Sequence, residues 1–274
     1  MNDEPGGGGL VESHYETLLV HRPEKHVLIV TLNRPERANA LNTQMGLDLR
    51  TLFGELFVNA GGLRCIVLTG AGEKAFCAGG DLKQRNEMTN ESWREQHAIF
   101  EQHVLAMADC PVPILAAVNG AAYGGGLEMA LSADFIYAAR TARFALTETS
   151  LGIMPGAGGT QNLPRACSLR RAKEIIFTAE AFTAEQAFEW GIVNCVCERE
   201  DLIGAALATA RKIAANAPMA IRQAKKALGA ATDLPFKAGY AFEIEAYNQL
   251  VPSSDRLEGI RAFNEKRKPN FKGE

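Results

Sequence analysis

The stretch N-G-A-A-Y-G-G-G-L-E, Asn119 to Glu128, leaves this chain few choices of fold. It joins an apolar run, Ile114 to Val118, to a helix-like segment, Gly126 to Ala133, through glycines that let another molecule approach the backbone closely. A strand feeding a helix N-terminus leaves several backbone N–H groups unpaired and pointing outward, a setting suited to a developing negative charge. Glu128 follows one turn later among Leu127, Met129, Ala130 and Leu131, so the helix is apolar nearly all round and the carboxyl is expected to be buried. A buried carboxylate is costly unless it is paired or used. The three-residue step from Gly125 to Glu128 puts an N–H donor and an acid on one side of the same turn.

Around this stretch, strands alternate with helices. Residues 1 to about 12, with glycines at 6 to 9, read as a flexible leader. Tyr15 to Val20 and His26 to Leu32 read as two strands separated by Pro23. Met45, Leu49, Leu52, Phe53, Leu56 and Phe57 then follow the period of an amphipathic helix. Arg64 to Thr69 is a buried strand, Gly70 to Gly80 a glycine-rich loop, and Asn90 to Asp109 a helix stopped by Pro111 and Pro113. Asp134 to Ala139 and Arg143 to Leu146 read as strands, and a second glycine-rich loop runs from Thr147 to Gln161. Beyond Ser168 helices dominate. Thr183 and Gln186 are spaced as a capping box, Ile192 to Cys197 is one short strand, and four helices are expected at Leu202 to Asn216, Pro218 to Ala230, Pro235 to Leu250 and Asp255 to Lys268. The expected division is a leader over 1–12, a core carrying the site over 13–200, and a C-terminal helical module over 201–274.

Composition narrows the partner. The 274 residues are 47% apolar, enough for a sizeable core, and the formal net charge of -3 gives no basic field for nucleic acid or an anionic membrane. No apolar run approaches the roughly 18 residues that span a bilayer, and Asp3, Glu4, Glu12 and Glu16 replace the basic start of a signal peptide, so a cytoplasmic protein acting on a small molecule is expected. The six cysteines, at 65, 77, 110, 167, 195 and 197, form no C-x-x-C pair and read as small core residues. Histidines 97 and 103 fall on different faces of one helix and read as surface or boundary residues. No P-loop, dinucleotide fingerprint or G-x-S-x-G elbow is present.

Glu148 lies twenty residues after Glu128, across two expected strands, and a chain that goes out and back can return it to the glycine cradle. Two carboxyls facing one ligand can divide acid and base roles, because burial and like charge push their pKa values apart. The other possibility is a buried structural acid at 128 and a loop acid at 148 that binds backbone amides. The loop F-C-A-G-G-D-L-K, Phe76 to Lys83, offers a Gly80 N–H that could stand opposite Gly125 and complete an oxyanion hole. It could equally be a tight turn in which Asp81 caps the next helix. Lys83 could meet a phosphate or remain a solvated surface side chain.

Five motifs in order resemble the enoyl-CoA hydratase/isomerase family, the crotonase superfamily: L-N-R-P-E-R-A-N-A-L-N, A-F-C-A-G-G-D-L-K, N-G-A-A-Y-G-G-G-L-E, L-T-E-T-S-L-G-I-M-P-G-A-G-G-T-Q and E-G-I-R-A-F-N-E-K-R-K-P-N-F. The resemblance implies an α/β fold, a spiral of ββα units followed by helices that build a homotrimer, often paired into a hexamer. It also implies an acyl-CoA thioester substrate whose oxygen sits between the N–H groups of Gly80 and Gly125, with Glu128 and Glu148 as acid and base and no metal or redox cofactor. The implied reaction is hydration of a 2-trans-enoyl-CoA, with a double-bond isomerase as the enzymatic alternative and a non-catalytic acyl-CoA-binding or RNA-binding protein as another. The expected CoA-binding positions are Arg37, Ala38, Ala40, Ala78, Gly79, Asp81, Leu82, Lys83 and Gly124, together with Phe263 and Lys266 reaching across a subunit boundary. The chain departs from the pattern at Gly80, where alanine is common, and at Leu146-Thr147, where short-chain hydratases often carry Gln-Pro. One RNA-binding branch uses a lysine-rich helix; here Thr43 to Ala60 carries only Arg50 as a base, which disfavours RNA.

Overall fold

Apolar runs too short to stand alone are paired here into two sheets, in a computed structural model that describes residues 15–274. The expected leader lies outside the described residues. Strands β1 (Leu18–Glu24) and β2 (Val27–Leu32) form an antiparallel hairpin. Pro23 lies inside β1 rather than between the strands. An edge strand tolerates it because no ladder bond is lost, and the register shifts there, between His21 and Glu24. Helix α1 (Thr43–Val58), capped by the Asn42 side chain that accepts from the Met45 N–H, buries Met45, Leu49, Leu52, Phe53 and Leu56, as its period predicts.

From there the chain advances in repeating units of one long strand, one short strand and helix. The first is β3 (Cys65–Gly70), β4 (Ala75–Cys77), then α2 (Leu82–Asn86) and α3 (Asn90–Ala108). The second is β5 (Ile114–Val118), β6 (Ala121–Tyr123) and α4 (Gly125–Leu131). The third is β7 (Phe135–Ala139), β8 (Arg143–Ala145), then α5 (Gly159–Ala166) and α6 (Leu169–Thr178). A short β9 (Phe182–Thr183) follows, then α7 (Ala184–Glu189), whose capping box of Thr183 and Gln186 forms as the spacing predicts, and β10 (Cys195–Cys197). Ile192 and Val193, expected in that last strand, are instead buried in the turn after α7.

The long strands make a six-stranded sheet ordered β1-β2-β3-β5-β7-β10, parallel beyond the opening hairpin. The short strands make a second sheet, β4-β6-β8-β9, in which β4, β6 and β8 run parallel. Two of these, β4 and β6, fall where the sequence reads as loop, because three residues cannot display a period of two. One face of the six-stranded sheet packs on α1 and α3 in the main core, and the other is closed by Leu202, Ala206 and Ala210 of α8 (Leu202–Ala214). The last helices are α9 (Pro218–Ala231), α10 (Phe236–Asn248) and α11 (Ser254–Asn264), and they leave Phe236, Tyr240, Ile260 and Phe263 exposed.

Two side-chain expectations change. His103 is fully buried rather than at a boundary, edge-on to Phe100, and burial pushes it down to about 4, so it is neutral. Cys65, Cys77 and Cys110 are core residues as expected, whereas Cys167, Cys195 and Cys197 are only partly buried.

Candidate active site

Because β6 pairs in parallel with both β4 and β8, the segments leaving these three strands emerge side by side along one edge. Those segments carry Gly79-Gly80, Gly124-Gly125 and Thr147-Glu148. They are tied down by the Gly124 N–H, which donates to the Ala145 carbonyl at 2.8 Å, and by the Leu41 N–H, which donates to the Gly79 carbonyl at 2.7 Å. Among the described residues, the N–H groups of Gly80 and Gly125 donate to no protein acceptor. The Gly80 nitrogen lies 3.9 Å from the point a Cβ on Gly125 would occupy, so the two donors are neighbours.

The two carboxyls flank the same glycines. Glu148 Oε1 stands 2.9 Å from the Cβ position of Gly124, and Glu128 Oε2 stands 4.0 Å from that of Gly125. Glu128, 3% exposed, accepts through Oε1 from the N–H groups of Ala157 and Gly159, each at 2.8 Å. Burial raises its pKa, while these two amides and the charge of Arg85 oppose the rise. Glu148 opens a 3₁₀ turn, Glu148–Leu151, and is 8% exposed; its Oε2 has no partner among the described residues. Burial pushes its carboxyl up to about 7, its own backbone amide opposes this, the charge of Glu128 adds to it and Arg85 subtracts from it. Two unlike environments thus surround two like groups. The amide-held carboxyl favours the anion and the unpartnered one favours the acid, an arrangement able to move protons on carbons next to a carbonyl.

Both carboxyls and both free amides open into one cavity of about 640 Å³, walled on its apolar side by Leu41, Phe100, Ile153 and Met154. Ala78, Gly79, Leu82 and Gly124 also line it. Arg37, Ala38, Ala40, Asp81, Lys83, Phe263 and Lys266 are not part of its wall. Asp81 instead caps α2 by accepting from the Gln84 N–H and pairs with Arg34 at 3.0 Å. The Ala38 carbonyl accepts from the Ala78 N–H at 3.1 Å, and Arg34 donates to the Ala40 carbonyl, so this segment braces the glycine loop from behind. Arg37 and Lys83 point to solvent, and Phe263 is 84% exposed on α11.

Three features of the wall escape the sequence. Arg85 places its guanidinium 4.3 Å from the centre of the Trp93 ring, and its Nε donates to Gln96 Oε1 at 2.9 Å. His97 lines the rim and sits 3.6 Å from Glu101. The amides of Ala157 and Gly159 give the second glycine-rich loop its purpose of holding Glu128. Their signal was faint: the loop was visible as glycines, but its target was 29 and 31 residues away.

A protein-family model described as Enoyl-CoA hydratase/isomerase matches residues 22–274. The short-chain-enoyl-CoA hydratase of Clostridium acetobutylicum is 38% identical over 245 residues, 89% of this chain and 94% of that protein. The mitochondrial enoyl-CoA hydratase of Pongo abelii is 36% identical over 263 residues, 95% of this chain and 89% of that protein. A crystal structure of an enoyl-CoA hydratase from Bacillus anthracis superposes with a TM-score of 0.92 at 41% identity, covering 94% of this chain and all of that one, 100%. With its spiral of ββα units and its sequence matched almost from end to end, the chain belongs to the enoyl-CoA hydratase/isomerase family of the crotonase superfamily.

Proposed function

We propose that the protein adds water across the double bond of a 2-trans-enoyl-CoA to give the 3-hydroxyacyl-CoA. One observation carries this reading: two unpaired amides, of Gly80 and Gly125, face the same cavity as two carboxyls in unlike environments. The thioester oxygen is held between the two amides, which stabilise the enolate-like charge that appears as water attacks C3. Each such donor lowers a barrier by about 3 kcal/mol. Glu128, kept anionic by its two amide donors, takes the proton from water; Glu148, which retains its proton near neutral pH, delivers one to C2. A double-bond shift needs one shuttle rather than two, so the presence of both carboxyls in the cavity favours hydration over isomerisation. The chemistry uses no metal or redox cofactor.

The CoA moiety is assigned to the outer rim of the cavity, along Arg37, Ala38, Ala40, Ala78, Gly79, Asp81, Leu82 and Lys83. Phe263 and Lys266 lie on the exposed C-terminal helices, and their assignment to CoA requires a neighbouring subunit. A homotrimer, alone or doubled to a hexamer, is the inferred assembly. Its support is the apolar surface of α10 and α11, where Phe236 is 83% and Phe263 84% exposed.

The test is loss of the conjugated enoyl-thioester absorbance when enzyme is added to a panel of 2-trans-enoyl-CoA substrates. Turnover retained by both Glu128→Gln and Glu148→Gln would sink the two-carboxyl mechanism. Product formed from a 3-enoyl-CoA in ¹⁸O-water without incorporating the label would point to isomerisation instead.

A further inference from the structure

Arg85 is a cavity side chain to which the proposed hydration gives no task. It is partly buried, with its guanidinium carbon 4.3 Å from the Trp93 ring centre and 5.5 Å from that of Phe100. Its Nε donates to Gln96, which is 2% exposed and in turn donates to Thr43 Oγ1 at 2.8 Å and to Gln84 Oε1 at 2.9 Å. A buried network therefore fixes the guanidinium in place. A guanidinium has five N–H donors, and among the described residues only the Nε one is used within the protein. Nor does Arg85 form an ion pair with Glu128 or Glu148, although their charges reach it across the cavity. Its Nη1 lies 3.2 Å from the Cβ position of Gly80, so the open fork stands beside the proposed thioester site. Glycine at 80, in place of the methyl-bearing residue common in the family, leaves that approach uncrowded.

We propose that Arg85 receives a carboxylate carried by the acyl chain, so that the preferred substrate is an enoyl-CoA thioester of a dicarboxylic acid, an inference that rests on the hydratase reading of the same cavity. The planar fork matches a carboxylate through two parallel N–H···O bonds. The aromatic faces of Trp93 and Phe100 hold the guanidinium and exclude water from one side, which strengthens such a pair. A methyl-terminated chain gives the fork no acceptor while stripping its water, and a site of that kind discriminates through the polar group it leaves unpaired. Arg94, His97 and Glu101 also face the cavity, but from the exposed side of α3, where solvent screens them.

The experiment compares two pairs of ligands of equal chain length, one member ending in a carboxylate and the other in a methyl group. Hydration of the two 2-enoyl-CoA substrates gives a ratio of kcat/KM, and calorimetric binding of the two saturated acyl-CoA analogues gives a ratio of Kd. The wild-type protein is expected to favour the carboxylate by about 100-fold in both. Arg85→Met is expected to bring both ratios to within about threefold of unity, and Arg85→Lys, which keeps the charge without the fork, to an intermediate value. Any effect of Arg85 on the two glutamates cancels in the ratio, since both substrates meet the same carboxyls. A wild-type preference for the methyl-terminated ligand, or a ratio unmoved in both variants, overturns the proposal. Should Arg85→Met fail to fold, Arg85→Lys decides alone, by a fall of about tenfold or none. If the wild-type protein binds both analogues and hydrates neither substrate, the hydratase reading fails while the Kd ratio still judges Arg85; if it binds neither, both fall.

Discussion

Glu148 Oε1 stands 2.9 Å from where a Cβ on Gly124 would be, and Gly124 itself holds φ at +50°. Glycine is required there twice, once by the backbone and once by the carboxyl it admits. Gly124→Ala is therefore expected to cost about 1–2 kcal/mol in backbone strain and to displace Glu148 from the cavity. Turnover should fall by about 100-fold, with a lower melting temperature. Full enoyl-CoA hydration by the variant would show that Glu148 does not need its present seat.

Burial pushes Glu148 up to about 7 from an ordinary value of 4.5, so the folded chain holds this proton more tightly than the unfolded chain does. The sign follows: the contribution to stability is full below about 4.5 and is lost as pH rises from 4.5 to about 7. Glu148→Gln removes that loss. The variant should melt above wild type at pH 8 and close to it near pH 4.5, while its hydration activity is abolished. In the wild-type protein, kcat/KM should fall as pH rises through about 7, where Glu148 gives up the proton it delivers to C2. Equal melting curves at pH 8 would contradict the buried, unpartnered state of this carboxyl.

Glu128 has a second duty that separates two of its variants. Its Oε1 satisfies the amides of Ala157 and Gly159, and a glutamine oxygen can do the same. Glu128→Gln should lose turnover by about 10² to 10⁴-fold with its melting temperature nearly unchanged. Glu128→Ala leaves both buried amides without an acceptor, at a cost of about 1–3 kcal/mol each. Equal stabilities of the two variants, measured by denaturant titration, would mean that water replaces the carboxylate at no penalty.

Long elements were legible in the sequence because burial imposes a period on them: Met45, Leu49, Leu52 and Leu56 mark one face of α1, and β3 is buried at every position. Glu128 was legible for the same reason, since its neighbours Leu127, Met129 and Ala130 left its side chain nowhere dry to go but inward. What escaped depends on distance along the chain. The pairing of β4, β6 and β8 aligns three loops, yet each strand has only three residues with which to show it. Arg85 reads as one more base on a short helix until Trp93 and Gln96 come to rest against it. His103 belongs to a helix whose period allowed a boundary, and only the packing of Phe100 beside it closes the interior.

Two glycines should respond to the same substitution with opposite signs. Gly126 sits in the first turn of α4, where an added Cβ would lie 2.0 Å from the Cys77 carbonyl oxygen, 2.8 Å from the carbon of that carbonyl and 2.9 Å from the Cys77 Cβ. The neighbour is backbone from β4 and cannot swing aside, so Gly126→Ala must pry the cradle of Gly125 away from that of Gly80. Several kcal/mol, more than about 4, and most of the turnover should be lost together. Gly54, in the middle of α1, has nothing within 4 Å of its Cβ position. There alanine only restricts the unfolded chain and favours the helix, for a gain of about 0.5–1 kcal/mol and a rise of about 2–4 °C in melting temperature. Calorimetric melts of the two variants beside wild type read both signs at once. A Gly126→Ala protein as stable as Gly54→Ala would mean that α4 and β4 are not pressed together, and with that the shared edge of Gly80 and Gly125 would be lost.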